Sequence, residues 1–205
     1  MREYEEAVLN SKEKYKEKIE IFLGYEVDYL RDYMDERVLN ADVDYLIGSV
    51  HFIEEWGFDN PEFIGGYADQ DIDEIWQKYF NAVKEMAQSK LFDIVAHLDL
   101  IKIFKFMPSV EVAEIAKDAL LAIKKADMSI EINVAGFRKP IGEAYPSLAL
   151  LKEAKKLDIP ITFASDAHKP EQVGLYSDEA IEMAKNAGYE ECVIYRNRKK
   201  EFIKL

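Results

Sequence analysis

The feature that most limits what this chain can fold into is a repeated alternation of short apolar runs with longer amphipathic stretches. The strand-like runs are 19–26 (IEIFLGYE), 44–51 (DYLIGSVH), 91–97 (LFDIVAH), 129–134 (SIEINV), 159–165 (IPITFAS) and 191–195 (ECVIY). Helical spacing occupies 3–18, 27–39, 71–89, 109–126, 146–157 and 177–187. In 71–89, for example, Ile72, Ile75, Trp76, Tyr79, Val83 and Met86 fall on one face. Ser109 reads as a helix cap, Pro146 as a first-turn residue and Gly188 as a helix stop. Strands that alternate with helices pair in parallel through helical crossovers. Six such strands predict an α/β fold, either a doubly wound open sheet or a β/α barrel one or two strands short of closure. No linker, low-complexity tract or short repeat interrupts the pattern, so 1–205 reads as a single domain.

Composition narrows the partners. The formal charge of −13 repels a phosphate backbone and an anionic membrane surface, which argues against nucleic-acid and membrane binding. A single cysteine, Cys192, excludes an intrachain disulfide. The charged N-terminus lacks an apolar signal core, and no apolar run reaches the roughly 18 residues of a membrane span. A soluble, cytoplasmic protein is the expectation.

The chemistry-bearing residues fall at strand ends. The chain has three histidines: His51 and His97 end predicted strands, and His168 lies just past another. Glu26 also ends a run, and Asp166 follows ITFAS. In a β/α barrel the carboxyl ends of the strands form the rim where sites are built. Taken singly, each residue has an ordinary structural reading: a hydrogen-bonded histidine, a turn-capping aspartate, a solvated glutamate. Together they make a set of imidazoles and carboxylates suited to Zn, Mn or Fe.

At these residues the chain resembles the histidinol phosphatases of the PHP (polymerase and histidinol phosphatase) superfamily. The matching segments are GYEVDYL (24–30), IGSVHFIEEWGFD (47–59), FDIVAHLDLIK (92–102), EINVAGFRKPIGEAYPS (131–147) and ITFASDAHKPEQVG (161–174). The resemblance implies a distorted (βα)7-type TIM-like barrel, here incomplete, with up to three divalent metals at the rim. It implies metal-assisted hydrolysis of L-histidinol phosphate, a small phosphomonoester. Glu26 is then the bridging carboxylate, His51 and His97 complete one metal's protein ligands, and Asp166 and His168 serve its neighbours. Arg138, in GFRKP, takes the phosphate and joins Asp166 and His168 in the catalytic set. Trp56, Phe58 and Asp59, with Glu54, Glu55 and Lys169 as further candidates, line the substrate pocket.

The family's pattern opens with a His-x-His strand, and here no histidine precedes position 51. The reading is therefore of a PHP-like domain lacking its N-terminal segment, with fewer metals and weak or absent turnover from the polypeptide as written. Two alternatives stay open: a PHP-type phosphoesterase acting on nucleotides or nucleic acid, and a non-catalytic metal-binding remnant. A metal-dependent amide hydrolase fits less well, because no metal-bridging lysine sits at a matching strand end.

Overall fold

The computed structural model describes residues 2–68 and 70–205. Helix α1 (Arg2–Tyr15) leads to strand β1 (Gly24–Asp28), a one-turn helix α2 (Glu36–Leu39) and strand β2 (Tyr45–Ser49). A small ribbon, β3 (Phe52–Ile53) and β4 (Trp56–Gly57), precedes helix α3 (Ile72–Ser89) and strand β5 (Ile94–Val95). Then come α4 (Val112–Lys125), β6 (Ser129–Asn133), α5 (Leu148–Lys156) and β7 (Ile161–Ala164). Helix α6 (Ser177–Asn186) is followed by a hairpin of β8 (Glu191–Arg196) and β9 (Lys199–Lys204).

The central sheet is parallel throughout, in the order β1-β2-β5-β6-β7. That is the expected α/β architecture, an open arc of a β/α barrel, with five strands rather than six. The sixth run belongs to β8, which pairs antiparallel with β9 in a sheet of its own. Asn197 and Arg198 form a two-residue loop with φ of +48° and +64°. Positive φ at both positions is the primed-turn geometry whose twist suits a hairpin. Arg198 is held there from outside: its N–H donates to Asp44 O at 2.8 Å, and its guanidinium meets the Asp93 carboxylate and Leu91 O.

Three helix boundaries also differ from expectation. Segment 27–39 is the end of β1, an irregular stretch with Asp32 at φ +70°, and α2, whose cap Asp35 accepts from Arg37 N at 2.9 Å. Helix α4 does not begin at Ser109, because Asp73 captures that residue through its N–H (2.6 Å) and hydroxyl (2.5 Å). Helix α5 opens on Ser147, whose hydroxyl accepts from Leu150 N at 3.3 Å, rather than on Pro146.

The two faces of the sheet have different jobs. Helices cover one of them, where α3 contributes Trp76, Tyr79, Phe80 and Met86 and α4 contributes Ile115, Leu120 and Ile123. Each such side chain taken out of water contributes about 1.5–3 kcal/mol. Packing is close enough that a Cβ at Gly48 would lie 2.7 Å from Met86 Sδ and the Phe92 ring. On the opposite face the register aligns Glu26, Ile47, Ile94 and Ser129. Toward the amino ends of the strands this face is apolar, with Tyr45, Ile47 and Ile94 packed against Val193 and Tyr195 of β8. The Tyr195 hydroxyl pairs with Ser129 Oγ at 3.0 Å and donates to Asp93 O at 2.9 Å. Toward the carboxyl ends strand alternation puts Asp28, Ser49, Glu131 and Asn133 on the same face, and there a cavity opens.

Candidate metal centre

His51 and His97 each follow their strands, β2 and β5, by two residues. Glu26 projects from the middle of the adjacent β1. Parallel strands end at one rim, so short turns after β2 and β5 bring both imidazoles back over the carboxylate. His97 Nε2 lies 3.1 Å from His51 Nε2 and 3.2 Å from Glu26 Oε1, and His51 Nε2 lies 4.0 Å from the same oxygen. A tetrahedral cation with ligands at about 2.0–2.1 Å sets neighbouring donors about 3.3 Å apart. The observed spacings bracket that value, so the residues fit a divalent cation. Among the described residues this is the group of histidines and carboxylates so spaced.

Asp28, which sequence reasoning passed over, orients the cluster. Its Oδ1 sits 2.6 Å from His51 Nδ1 and accepts from Ser49 Oγ at 3.2 Å. A carboxylate there keeps the proton on Nδ1 and turns the Nε2 lone pair toward Glu26 and His97. One signal was available: Asp28 is two residues beyond Glu26 on a strand, hence on the same face. His97 Nδ1, in contrast, is buried with no partner among the described residues.

The electrostatics favour positive charge. The His97 hydrogen bond, working against burial, holds Glu26 below its ordinary value, and the His51 hydrogen bond does the same for Asp28. Burial pulls the His97 imidazole down, but the Glu26 hydrogen bond and the charges of Glu131, Glu26 and Asp166 raise it overall. Burial pushes Glu131 up.

Asp166 and His168 lie beyond β7 and line the same cavity, about 380 Å³, as Glu26, His51 and His97. The structure thus brings all five candidate ligands to one mouth, three of them within mutual reach of a single ion. Asp166 has φ +47°, its Oδ2 accepts from Asn133 Nδ2 at 3.2 Å, and His168 Nδ1 is 3.5 Å from its Oδ1. The His168 side chain is 80% exposed.

Arg138 underlies the β7 loop and does not line the cavity: its Nη2 donates to Ser165 O and Asp166 O, both at 2.9 Å, while Nη1 is buried without a partner among the described residues. Asp59 lines the cavity, and so do Lys139 and Tyr145, which sequence reasoning did not single out. Trp56 and Phe58 do not. Phe58 is completely buried against Tyr79, and Trp56 donates to Phe63 O at 3.0 Å with its ring edge-on to Tyr67. Lys169 caps a short turn outside the cavity. Glu54 and Glu55 face a separate cavity of about 570 Å³ that holds no histidine, and its Arg31–Glu85 and Lys78–Glu54 charges pair with each other.

The loop carrying Lys139 and Tyr145 is anchored by a buried cation. Lys102 Nζ bonds Asp99 Oδ2 (3.0 Å), Glu143 Oε1 (2.8 Å) and Ala144 O (2.8 Å), and Asp99 Oδ2 also accepts from Ser147 N at 2.8 Å. Both Lys102 and Asp99 have side chains only 1% exposed.

Comparison with known proteins identifies the family. Residues 1–135 match the PHP domain family, and residues 151–184 match the family described as PHP-associated. The chain belongs to the PHP domain family. A protein of Deinococcus radiodurans named "Probable histidinol-phosphatase" is 37% identical over 185 residues, covering 89% of this chain and 70% of that protein. The "Histidinol-phosphatase" of Bacillus subtilis is 29% identical over 206 residues, covering 88% and 75%. The crystal structure of histidinol phosphate phosphatase from Lactococcus lactis, complexed with zinc, L-histidinol and phosphate, superposes with a TM-score of 0.76 at 22% identity. That superposition covers 98% of this chain and 79% of the other, and it shows that this PHP chain shares the fold. Among the described residues no helix is long and apolar enough to cross a membrane.

Proposed function

We propose that this chain forms the metal-binding part of a phosphomonoesterase site whose substrate is L-histidinol phosphate. The carrying observation is the Glu26–His51–His97 cluster, with its ligand atoms within 4.8 Å of one another at the mouth of a cavity that Asp166 and His168 also line. A divalent cation bound there supplies the positive charge that offsets phosphate oxygens and makes water a usable nucleophile near neutral pH. The chain's own residues do the rest. Asp28 sets the His51 tautomer, Arg138 braces the Asp166 loop from beneath, and Asp59 offers a carboxylate to the substrate's ammonium. Two relatives named as histidinol phosphatases, at 37% and 29% identity, support this substrate, and the charge of −13 disfavours a polyanionic one.

The test is phosphate release by the zinc- or manganese-loaded chain from L-histidinol phosphate and from nucleoside monophosphates, with metal content measured by elemental analysis. Preferred release from histidinol phosphate, together with loss of bound metal in His97→Ala, is the expected result. Faster release from a nucleotide, or unchanged metal in His97→Ala, overturns the reading.

A further inference from the structure

Asn133 occupies the last position of β6, on the strand between the one that leads to His97 and the one that leads to Asp166. It is 1% exposed, and every polar atom of its side chain is engaged. Its Oδ1 accepts from Ala135 N at 2.9 Å, while Nδ2 donates to Glu131 Oε1 at 2.8 Å and to Asp166 Oδ2 at 3.2 Å. An amide nitrogen has two hydrogens, and here each goes to a different carboxylate. Turning the amide over would aim its oxygen at both carboxylates and its NH2 at the Ala135 N–H, so chemistry fixes the orientation. Backbone bonds lock the residue further: Asn133 N donates to Tyr145 O at 2.7 Å, and Tyr145 N donates to Asn133 O at 2.9 Å. On the far side Glu131 Oε1 also accepts from His97 N at 2.9 Å.

We infer that Asn133 is a positioning residue: with Glu131 it forms a buried brace that joins the His97 turn to the Asp166 carboxylate and holds Asp166 for the cation. Arg138 fixes the Asp166 carbonyl while Asn133 fixes its side chain. This inference rests on the metal-site reading proposed above. Partners that orient metal ligands typically change affinity by about 10- to 100-fold when removed.

The experiment is a double-mutant cycle on the full chain, with Asn133→Ser, Asp166→Ala and the double variant, read by zinc calorimetry and by the visible spectrum of the Co2+-loaded protein. Serine keeps an oxygen for the Ala135 N–H and removes both donors. Zinc affinity should fall about tenfold in Asn133→Ser and by clearly less than that in the Asp166→Ala background, with an altered Co2+ band in each variant. If Asn133→Ser does not fold, Asn133→Thr, which adds no charge, keeps a side-chain oxygen and likewise removes the amide donors, enters the same cycle with the same non-additivity expected. Wild-type protein that binds zinc while Asn133→Ser matches it in affinity and Co2+ spectrum, or loses affinity in full addition to Asp166→Ala, overturns the inference alone. Wild-type protein that binds no metal overturns the site reading and this inference together.

Discussion

Asp28→Asn tests the orientation of the cluster with the least steric disturbance. Asp28 Oδ1 lies 2.6 Å from His51 Nδ1, a length typical of a bond with an ionised acceptor. The amide has the same shape and lacks the charge. If its oxygen faces the ring, the bond survives as a weaker neutral one; if its NH2 faces the ring, the imidazole proton moves to Nε2 and closes the position that faces Glu26. Outer partners of metal-bound histidines contribute about 10- to 100-fold in affinity. The Asp28 side chain is 44% exposed, and solvent screening places this case at the low end, about tenfold or 1.4 kcal/mol. Zinc or manganese calorimetry, with chelator competition for tight sites, measures it. Ser49→Ala, which removes only the 3.2 Å bond to Asp28, should cost less than Asp28→Asn. An Asp28→Asn protein within twofold of wild type would refute the orienting role.

Metal-free stability should depend on pH in a way set by the same groups. Glu26 and Asp28 are lowered, so their contribution is complete above their ordinary values of 4.5 and 3.8 and is lost as pH falls through the lowered ones. His97 is raised, so its contribution is complete below 6.5 and is lost as pH rises through the higher folded value. The cluster therefore stabilises the metal-free protein most between pH 4.5 and 6.5, whereas zinc, which needs neutral imidazoles, should raise the melting temperature progressively more above 6.5. A zinc effect that does not change with pH contradicts this. Lys102→Met leaves Asp99 buried without its cation and should cost about 3 kcal/mol in denaturant melts, the low end for a broken buried pair because burial has already raised Asp99 toward neutrality. A cost below about 1 kcal/mol would mean that the pair is not what anchors the 139–147 loop. In Gly136→Ala the new Cβ would lie 2.0 Å from the Glu143 carbonyl oxygen and 3.0 Å from the Tyr145 ring, so a loss of at least about 1–3 kcal/mol is expected; wild-type stability by the same melts would contradict that packing.

What could be read from the sequence follows from what each segment's structure depends on. Helix α3 announces itself locally, with an apolar stripe and an Asp71 cap that accepts from Asp73 N at 2.8 Å. The parallel strands are apolar on both faces near their amino ends, so they stand out as runs. Strand β9 does not: KKEFIK has two large apolar residues, both exposed, and its pairing depends on a turn whose Asn-Arg sequence carries no glycine signal. Residues 27–39 mimic helical spacing, yet the first of them pair with β2. The candidate ligands were legible because histidine is scarce here and falls at or just beyond strand ends. Asp28, Asn133 and Glu131 were not, because their roles come from partners up to 34 residues away across neighbouring strands. Trp56 and Phe58 were drawn to the core by Tyr67 and Tyr79, partners that loop composition does not reveal.

The site and the fold impose a shared electrostatic demand. The carboxyl-end half of the sheet's second face gathers Glu26, Asp28 and Glu131, with Asp166 across the same cavity. Buried carboxylates persist only when hydrogen-bonded or neutralised. Backbone and amide donors serve the buried Glu131, and Asn133 serves Asp166, while the more exposed Glu26 and Asp28 pair with imidazoles, Asp28 also with Ser49 Oγ. In the metal-free protein the surrounding carboxylates favour a proton on His97, raising it against the effect of burial. A divalent cation satisfies the same demand with more charge, and it removes the contact between two ring nitrogens 3.1 Å apart. The larger cavity also holds more carboxylates than cations, with Arg31 and Lys78 paired to Glu85 and Glu54, but no imidazole lines it to serve as a nitrogen ligand. Uncompensated negative charge gathered around neutralisable nitrogen ligands, more than cavity size, is what marks the rim of β1, β2 and β5 as the place for a metal.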